Sequence, residues 1–269
     1  MPDIYARVTE AAPNILDGLM TALEIRAADP QQRAMLHTYL RDAALPQGAR
    51  VLEVGCGTGA VTRVLAAWPG VGEAIGVDPS SVFVARAREL AAGLTTLSFQ
   101  EADGRSLPFG DGAFDAVIFH TTLCHVPGPE AMLREAVRLL RPGGCLAVFE
   151  GDYATGTLAT SAGDPLDACA EAFREHFVHD PWLVRRLPAL LRGAGVELQC
   201  ARSYGYLEAS TPGFMLPSWV DLGADALATS GRIGADLAAA LKAEARRRVA
   251  SGQYFGHIAY MSLVARKPA

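Results

Sequence analysis

Three carboxylates, a glycine-rich turn and two histidines are the residues of this 269-residue chain whose types and spacing suit chemistry. Arg50-Val-Leu-Glu-Val54 is a short apolar run that stops at Gly55-Cys-Gly-Thr-Gly59 and passes into the apolar helical stretch Ala60 to Trp68. A glycine turn there lets backbone approach a ligand closely, and the first amides of the helix offer donors at the positive end of its dipole. NAD, FAD and nucleotide sites share that device, but Gly55-x-Gly-x-Gly59 departs from the GxGxxG dinucleotide spacing. Asp78, 23 positions after Gly55, ends the next apolar run, where a carboxylate can accept from both hydroxyls of a ribose. Several cofactors still fit. Asp103, just past a third run, can accept from an exocyclic amine such as adenine N6, and Glu53 can orient an ammonium group through the loop backbone or a water. Three acids without a P-loop lysine describe an adenosine that carries an amino acid rather than a pyrophosphate. His120 and His125 follow a fourth apolar run and are the nearest titratable groups for moving a proton.

The elements that must hold these residues alternate. Strands are expected at 50–54, 74–78, 97–101, 114–119 and 145–150, with helices between them. Near-continuous apolar strands of this kind form a parallel sheet covered on both faces. Residues 1–48 read as leading helices, with Met35, Leu36, Tyr39 and Leu40 at helical spacing. After 151, helices at 164–176 and 181–193 precede a strand at 196–206, and a strand at 254–266 completes the sheet. The organisation expected is therefore 1–48 leading helices acting as a lid, 49–204 core, 205–252 helical insertion and second part of the lid, and 253–269 last strand. In the insertion, Ile233, Leu237, Leu241, Ala245 and Val249 give an apolar stripe, Gly213, Gly223, Gly231 and Gly234 mark breaks, and Arg246-Arg247-Arg248 reads as a solvated face.

Composition narrows the function. With 24 Lys plus Arg against 29 Asp plus Glu, the net charge is −5, which argues against nucleic acid or an anionic membrane as partner. The amino terminus lacks the basic start and apolar run of a secretory signal, and a cytoplasmic location is expected. Five cysteines include no CxxC pair, and His176-x-x-His179-Asp180 lacks a fourth ligand, so neither a disulfide framework nor a metal site is signalled.

The motifs also occur in a familiar order. Val51-Leu-Glu-Val-Gly-Cys-Gly-Thr-Gly59, Gly76-Val-Asp-Pro-Ser80, Glu101-Ala-Asp-Gly104 with Leu107-Pro-Phe109, Phe114-Asp115, Leu123-Cys-His-Val-Pro127 and Leu140-Arg-Pro-Gly-Gly144 resemble those of class I S-adenosylmethionine-dependent methyltransferases, the ubiquinone/menaquinone-biosynthesis and small-molecule type above all. The resemblance implies a Rossmann-like α/β fold with a seven-stranded, mostly parallel sheet. It puts Gly55, Cys56, Gly57 and Gly59 against the methionine part of the cofactor, Asp78 and Pro79 at the ribose, Ala102, Asp103 and Gly104 at adenine, and the His120 backbone near the amino group or sulfonium. Where relatives often carry a His-His pair this chain has Cys124-His125, so a relative's acceptor or base does not carry over.

The reaction implied is methyl transfer by in-line displacement to a small-molecule acceptor such as a secondary metabolite or quinone-like compound, without a metal. A cofactor-retaining cyclase on the same fold and a non-catalytic partner subunit are the alternatives. His120, first after the fourth strand, is the preferred base, with an imidazole pKa near 6.5, and His125 the second candidate. Tyr5, Tyr153 and the aromatics between Tyr204 and Trp219 are expected to line the acceptor pocket. The expected assembly is a monomer or homodimer.

Overall fold

The computed structural model describes residues 3–209 and 215–269. A 3-10 helix, Tyr5–Glu10, leads into α1 (Pro13–Ala28) and α2 (Pro30–Ala43). The core follows as β1 (Ala49–Val54), α3 (Ala60–Ala66), β2 (Val71–Asp78), α4 (Ser81–Leu90), β3 (Leu97–Glu101), β4 (Phe114–His120), α5 (Glu130–Leu139) and β5 (Leu140–Thr157). The chain continues with α6 (Asp167–Phe177), α7 (Leu183–Gly193), β6 (Glu197–Glu208), α8 (Met215–Thr229), α9 (Ala235–Ala250) and β7 (Gly256–Arg266).

The strands form a single seven-stranded sheet in the order β3-β2-β1-β4-β5-β7-β6. β1 to β5 are parallel where they pair, and β7 runs antiparallel between β5 and β6. The direction of winding reverses between β1 and β4, and in an open α/β sheet the crevice outside the carboxyl ends of such strands is where ligands bind. β1 and β4 are buried along nearly their whole length, as strands covered on both faces must be. α2 supplies one cover, with Met35, Leu36, Tyr39 and Leu40 all buried.

β5 is longer than its apolar stretch suggests. Its pairing with β7 continues from Cys145 opposite Arg266 to Thr157 opposite His257, and Arg141-Pro-Gly-Gly144, directly after α5, forms an irregularity within the element between Leu140 and Cys145. α8 and α9 stand between β6 and β7, the order expected of an insertion. Gly223 lies inside α8 and does not break it: a Cβ there would stand 2.0 Å from the Cys169 carbonyl oxygen, so glycine is what lets α8 meet the α6 backbone. Gly231 and Gly234 do fall between α8 and α9, and Gly213 lies outside the described residues. On α9, Leu241 and Ala245 are buried but Leu237 is 51% exposed, with Ala238 facing inward instead. Steps of four residues drift around a 3.6-residue helix, so one end of a strict four-residue stripe leaves the core. Arg248 is likewise not on a solvated face: it pairs at 2.6 Å with the buried carboxylate of Asp164. Among the described residues no helix is long and apolar enough to cross a membrane.

Candidate active site

A cavity of about 430 Å³ opens over the carboxyl ends of β1, β2 and β4, roofed by the leading segment and α1. Glu53, Gly55, Cys56, Gly57, Asp78, Pro79, Ala102, Asp103, Gly104, His120, His125 and Tyr5 all line it, so residues far apart in the chain converge as expected. Among the residues expected at the cofactor, Gly59 is the exception: it sits behind the wall as the N-cap of α3. Its φ of 75° suits glycine, and a Cβ would stand 2.4 Å from the Phe99 ring.

The glycine turn is tied to β2 at several points. Gly55 and Cys56 donate their backbone N–H groups to the Val77 carbonyl at 2.8 and 3.0 Å. Asp78 accepts from Gly57 N–H and Ser80 N–H, each at 2.9 Å. The strand end is therefore closed to solvent: Asp78 is 6% exposed, and burial pushes its carboxyl up to about 6. Glu53 is buried deeper, accepts from the Thr62 hydroxyl, and is pushed up to about 8 by desolvation. Asp103 differs from both. Its half-exposed carboxylate is gripped by Arg105 through two side-chain nitrogens and held below the usual range. It faces the cavity rim with acceptor capacity already shared.

On the other side of the β1/β4 switch the wall is made by the segment after β4. Glu150, fully buried on β5, accepts from the backbone N–H groups of Thr122 and Leu123 at 2.9 and 2.7 Å and fixes this segment. Thr121 adopts φ 52°, a strained conformation for a β-branched residue. His120 meets the Tyr39 hydroxyl through Nδ1 at 3.0 Å and stacks on Phe149 with ring centroids 4.7 Å apart. Burial, with the nearby Arg26 charge, pushes its imidazole well below the ordinary histidine value, so it is a weak base. That overturns the expectation of an imidazole near its ordinary value at this position.

His125 has the acid partner that His120 lacks. Its Nδ1 lies 2.7 Å from Asp3 Oδ2, and Asp3 is itself buried and accepts from the backbone N–H groups of Tyr5 and His179. A buried carboxylate on one imidazole nitrogen fixes the tautomer and leaves the other nitrogen for a ligand. The Tyr5 ring lies 4.7 Å from that of His125, and burial pushes its hydroxyl up to about 12.

Tyr153 does not line the cavity. It stacks on Trp219 with centroids 5.9 Å apart and sends an edge toward His125, because the antiparallel β5–β7 pairing turns it into the packing under α8. Tyr204 bonds Ser262, and Trp219 stacks on Phe173, so both belong to the packing as well. No described residue of 205–252 reaches the cavity wall. Asp3, Arg26, Gln32, Thr121 and Glu150 take part without having been read from the sequence. Among the described residues, no group of three or more His, Cys, Asp or Glu is placed to hold a metal ion.

Comparison with known proteins agrees with this geometry. The methyltransferase domain family matches residues 52–148. The 2-phytyl-1,4-naphtoquinone methyltransferase of Synechococcus elongatus is 30% identical over 177 residues, covering 64% of this chain and 67% of that protein. Methyltransferase GfsG of Streptomyces halstedii is 33% identical over 154 residues, 56% of this chain and 54% of that one. The crystal structure of the [4+2]-cyclase SpnF superposes with a TM-score of 0.56 and 27% identity, covering 88% of this chain and 81% of that one. The chain spans between a third and two thirds of the length of the curated relatives it matches. With the glycine turn, the acid ending β2 and the sheet order in place, the chain belongs to the class I S-adenosylmethionine-dependent methyltransferases.

Proposed function

We propose that this protein transfers a methyl group from S-adenosylmethionine to a small-molecule acceptor. The observation that carries the reading is the convergence of Glu53, Asp78, Asp103 and the glycine turn on one cavity at the winding reversal of the sheet. These residues fit the cofactor: acids for a ribose, an adenine amine and an ammonium group, and backbone free to approach. When bound, S-adenosylmethionine supplies a methyl group already activated on a positive sulfur.

What the chain must add is position, dryness and, for an acceptor that loses a proton, a base. Holding two reactants in line is worth up to about 7–11 kcal/mol of the barrier. The roof over the cavity excludes water: Val8 and Leu16 pack on Phe83 of α4, and Glu24 of α1 bonds both Thr58 in the glycine turn and Arg63. His125, oriented by Asp3, is the base in this proposal, and His120 a fixed hydrogen-bonding wall. Incubating the protein with trideuteromethyl-labelled S-adenosylmethionine and a panel of quinols, phenols and enolisable ketones tests it by mass spectrometry. A labelled product and S-adenosylhomocysteine in equal amounts are expected; neither forming with any acceptor counts against the reading.

A cyclase that retains its cofactor is the second reading, favoured by the 27% identity to SpnF over 88% of this chain. It predicts conversion of a substrate with no S-adenosylhomocysteine formed.

A further inference from the structure

The half of the cavity beyond β4 holds a cation without an anion. Arg26 of α1 is partly buried on the cavity wall, and its Nη2 donates to Thr121 Oγ1 at 2.5 Å. No described carboxylate lies within ion-pair distance; the groups its charge reaches include the hydroxyls of Tyr260, Tyr153, Tyr5 and Tyr39, the thiol of Cys124 and the imidazole of His120. A guanidinium has five donors in a rigid fork that matches two oxygens in a plane, and this one spends a single donor on a neutral hydroxyl. Beside it on the same wall is Gln32, 3% exposed, with neither amide atom in a hydrogen bond although the Tyr260 hydroxyl lies close. Buried amide atoms are rarely left unpartnered unless a ligand or water completes them.

The position of this pair separates it from the acids. Glu53, Asp78 and Asp103 come from β1, β2 and the turn after β3. The surroundings of Arg26 come from the turn after β4, from β5 and from β7, on the other side of the winding reversal. His125 follows the same β4 turn as Thr121.

We propose that Arg26 and Gln32 anchor the methyl acceptor, and that the acceptor carries an oxyanion beside a second oxygen function: a carboxylate, phenolate or enolate with an adjacent hydroxyl or carbonyl. This rests on the methyl-transfer reading and deepens it. The fork takes the oxyanion, the free amide N–H of Gln32 donates to an oxygen, and its carbonyl accepts from a hydroxyl. A cation at that distance also favours the ionised form of a phenol or enol, so the anchor and the His125 base act in the same direction.

The test uses the full chain loaded with S-adenosylhomocysteine and titrated calorimetrically with salicylate and with its neutral analogue salicylamide. Wild type should bind salicylate at least about tenfold more tightly, the ordinary advantage of a charge-assisted bidentate bond. Arg26→Gln should cost salicylate about tenfold or more and leave salicylamide and S-adenosylhomocysteine within about twofold. Gln32→Leu should weaken both aromatic probes. Arg26→Lys keeps the charge without the fork and should fall between wild type and Arg26→Gln, so the proposal remains testable if Arg26→Gln does not fold. Equal binding of the two probes, or no binding of salicylate, would overturn the proposal. So would an Arg26→Gln protein that loses S-adenosylhomocysteine but not salicylate, since the guanidinium would then serve the cofactor's carboxylate. Failure of wild type to bind S-adenosylhomocysteine strikes the methyl-transfer reading itself, and the two failures are told apart in the first titration.

Discussion

The two halves of the cavity are built in opposite ways. On the β1–β3 side, acids do the work and the contacts are between near neighbours in the chain: Gly57 to Asp78 across 21 positions, Thr62 to Glu53 across 9. On the β4–β7 side a cation, an amide and a histidine do the work, and their contacts span 95 positions for Arg26 to Thr121 and 122 for His125 to Asp3. The first half is a motif that folds as a unit of strand, turn and helix. The second exists only once the leading segment has come back over the finished sheet. A cofactor common to many enzymes can be held by such a unit, whereas an acceptor peculiar to one enzyme is met by whatever the roof brings down.

The sharpest way to break this contrast is to remove the long-range histidine. His125→Ala should cut turnover by about 10²–10⁴-fold, the usual contribution of a general base, while cofactor affinity stays within about twofold. His120→Ala should alter turnover far less and cost stability instead, since the Tyr39 hydroxyl is left buried without its partner. The reverse ranking in steady-state rates would restore His120 as the base.

Next in size is a pH effect seated in the acid half. Glu53 titrates near 4.5 when unfolded and about 8 when folded, so the folded state holds its proton more tightly. Stability from this group is complete below pH 4.5 and is lost as pH rises through about 8, by on the order of 5 kcal/mol. Asp78, pushed from 3.8 to about 6, adds the same sign over a lower window. Glu53→Gln can still accept from Thr62 and should flatten most of that slope in urea unfolding between pH 5 and 8; profiles that run parallel would exclude Glu53 as its source. S-adenosylmethionine, which carries positive groups, should also bind more tightly at pH 8 than at pH 6.

Asp78→Ala should weaken cofactor binding by about 1–3 kcal/mol, the worth of hydrogen bonds to a charged group. It should also lower the Tm, because the same carboxylate holds the glycine turn at Gly57 and Ser80. An unchanged dissociation constant in a folded variant would remove Asp78 from the site. The smallest effect concerns the roof: Glu24→Gln weakens a partly exposed ion pair to Arg63 worth about 0.2–1 kcal/mol. Residues 13–28 should then exchange amide hydrogen faster without ligand and recover protection when cofactor binds. Equal exchange in both proteins would mean that Glu24 does not hold the roof.

How far the sequence reveals this protein follows the same division. All seven strands, the glycine turn, Glu53 and Asp78 are legible because apolar runs and turn residues are local signals. The environment of Asp78 is not, since nothing in Gly76-Val-Asp-Pro-Ser80 tells that Gly57 will turn its amide onto the carboxylate. Tyr153 reads as a pocket residue because an aromatic after a strand suits either role, and only the β5–β7 pairing decides that it packs on Trp219. Arg26 is a lone cation beside Glu24 in the mostly apolar stretch Ala22-Leu-Glu-Ile-Arg-Ala-Ala28, and Asp3 one acid near an end; neither carries a pattern. Even the choice of His125 over His120 turns on a carboxylate supplied from 122 positions away.

Isothermal titration of the unliganded protein tests the central claim most directly, that the acid-lined half is a site for an adenosine bearing an amino acid. S-adenosylmethionine and S-adenosylhomocysteine should each bind with one-to-one stoichiometry, while NAD and ATP give no heat at the same concentrations. Tight binding of NAD with no response to S-adenosylmethionine would contradict it.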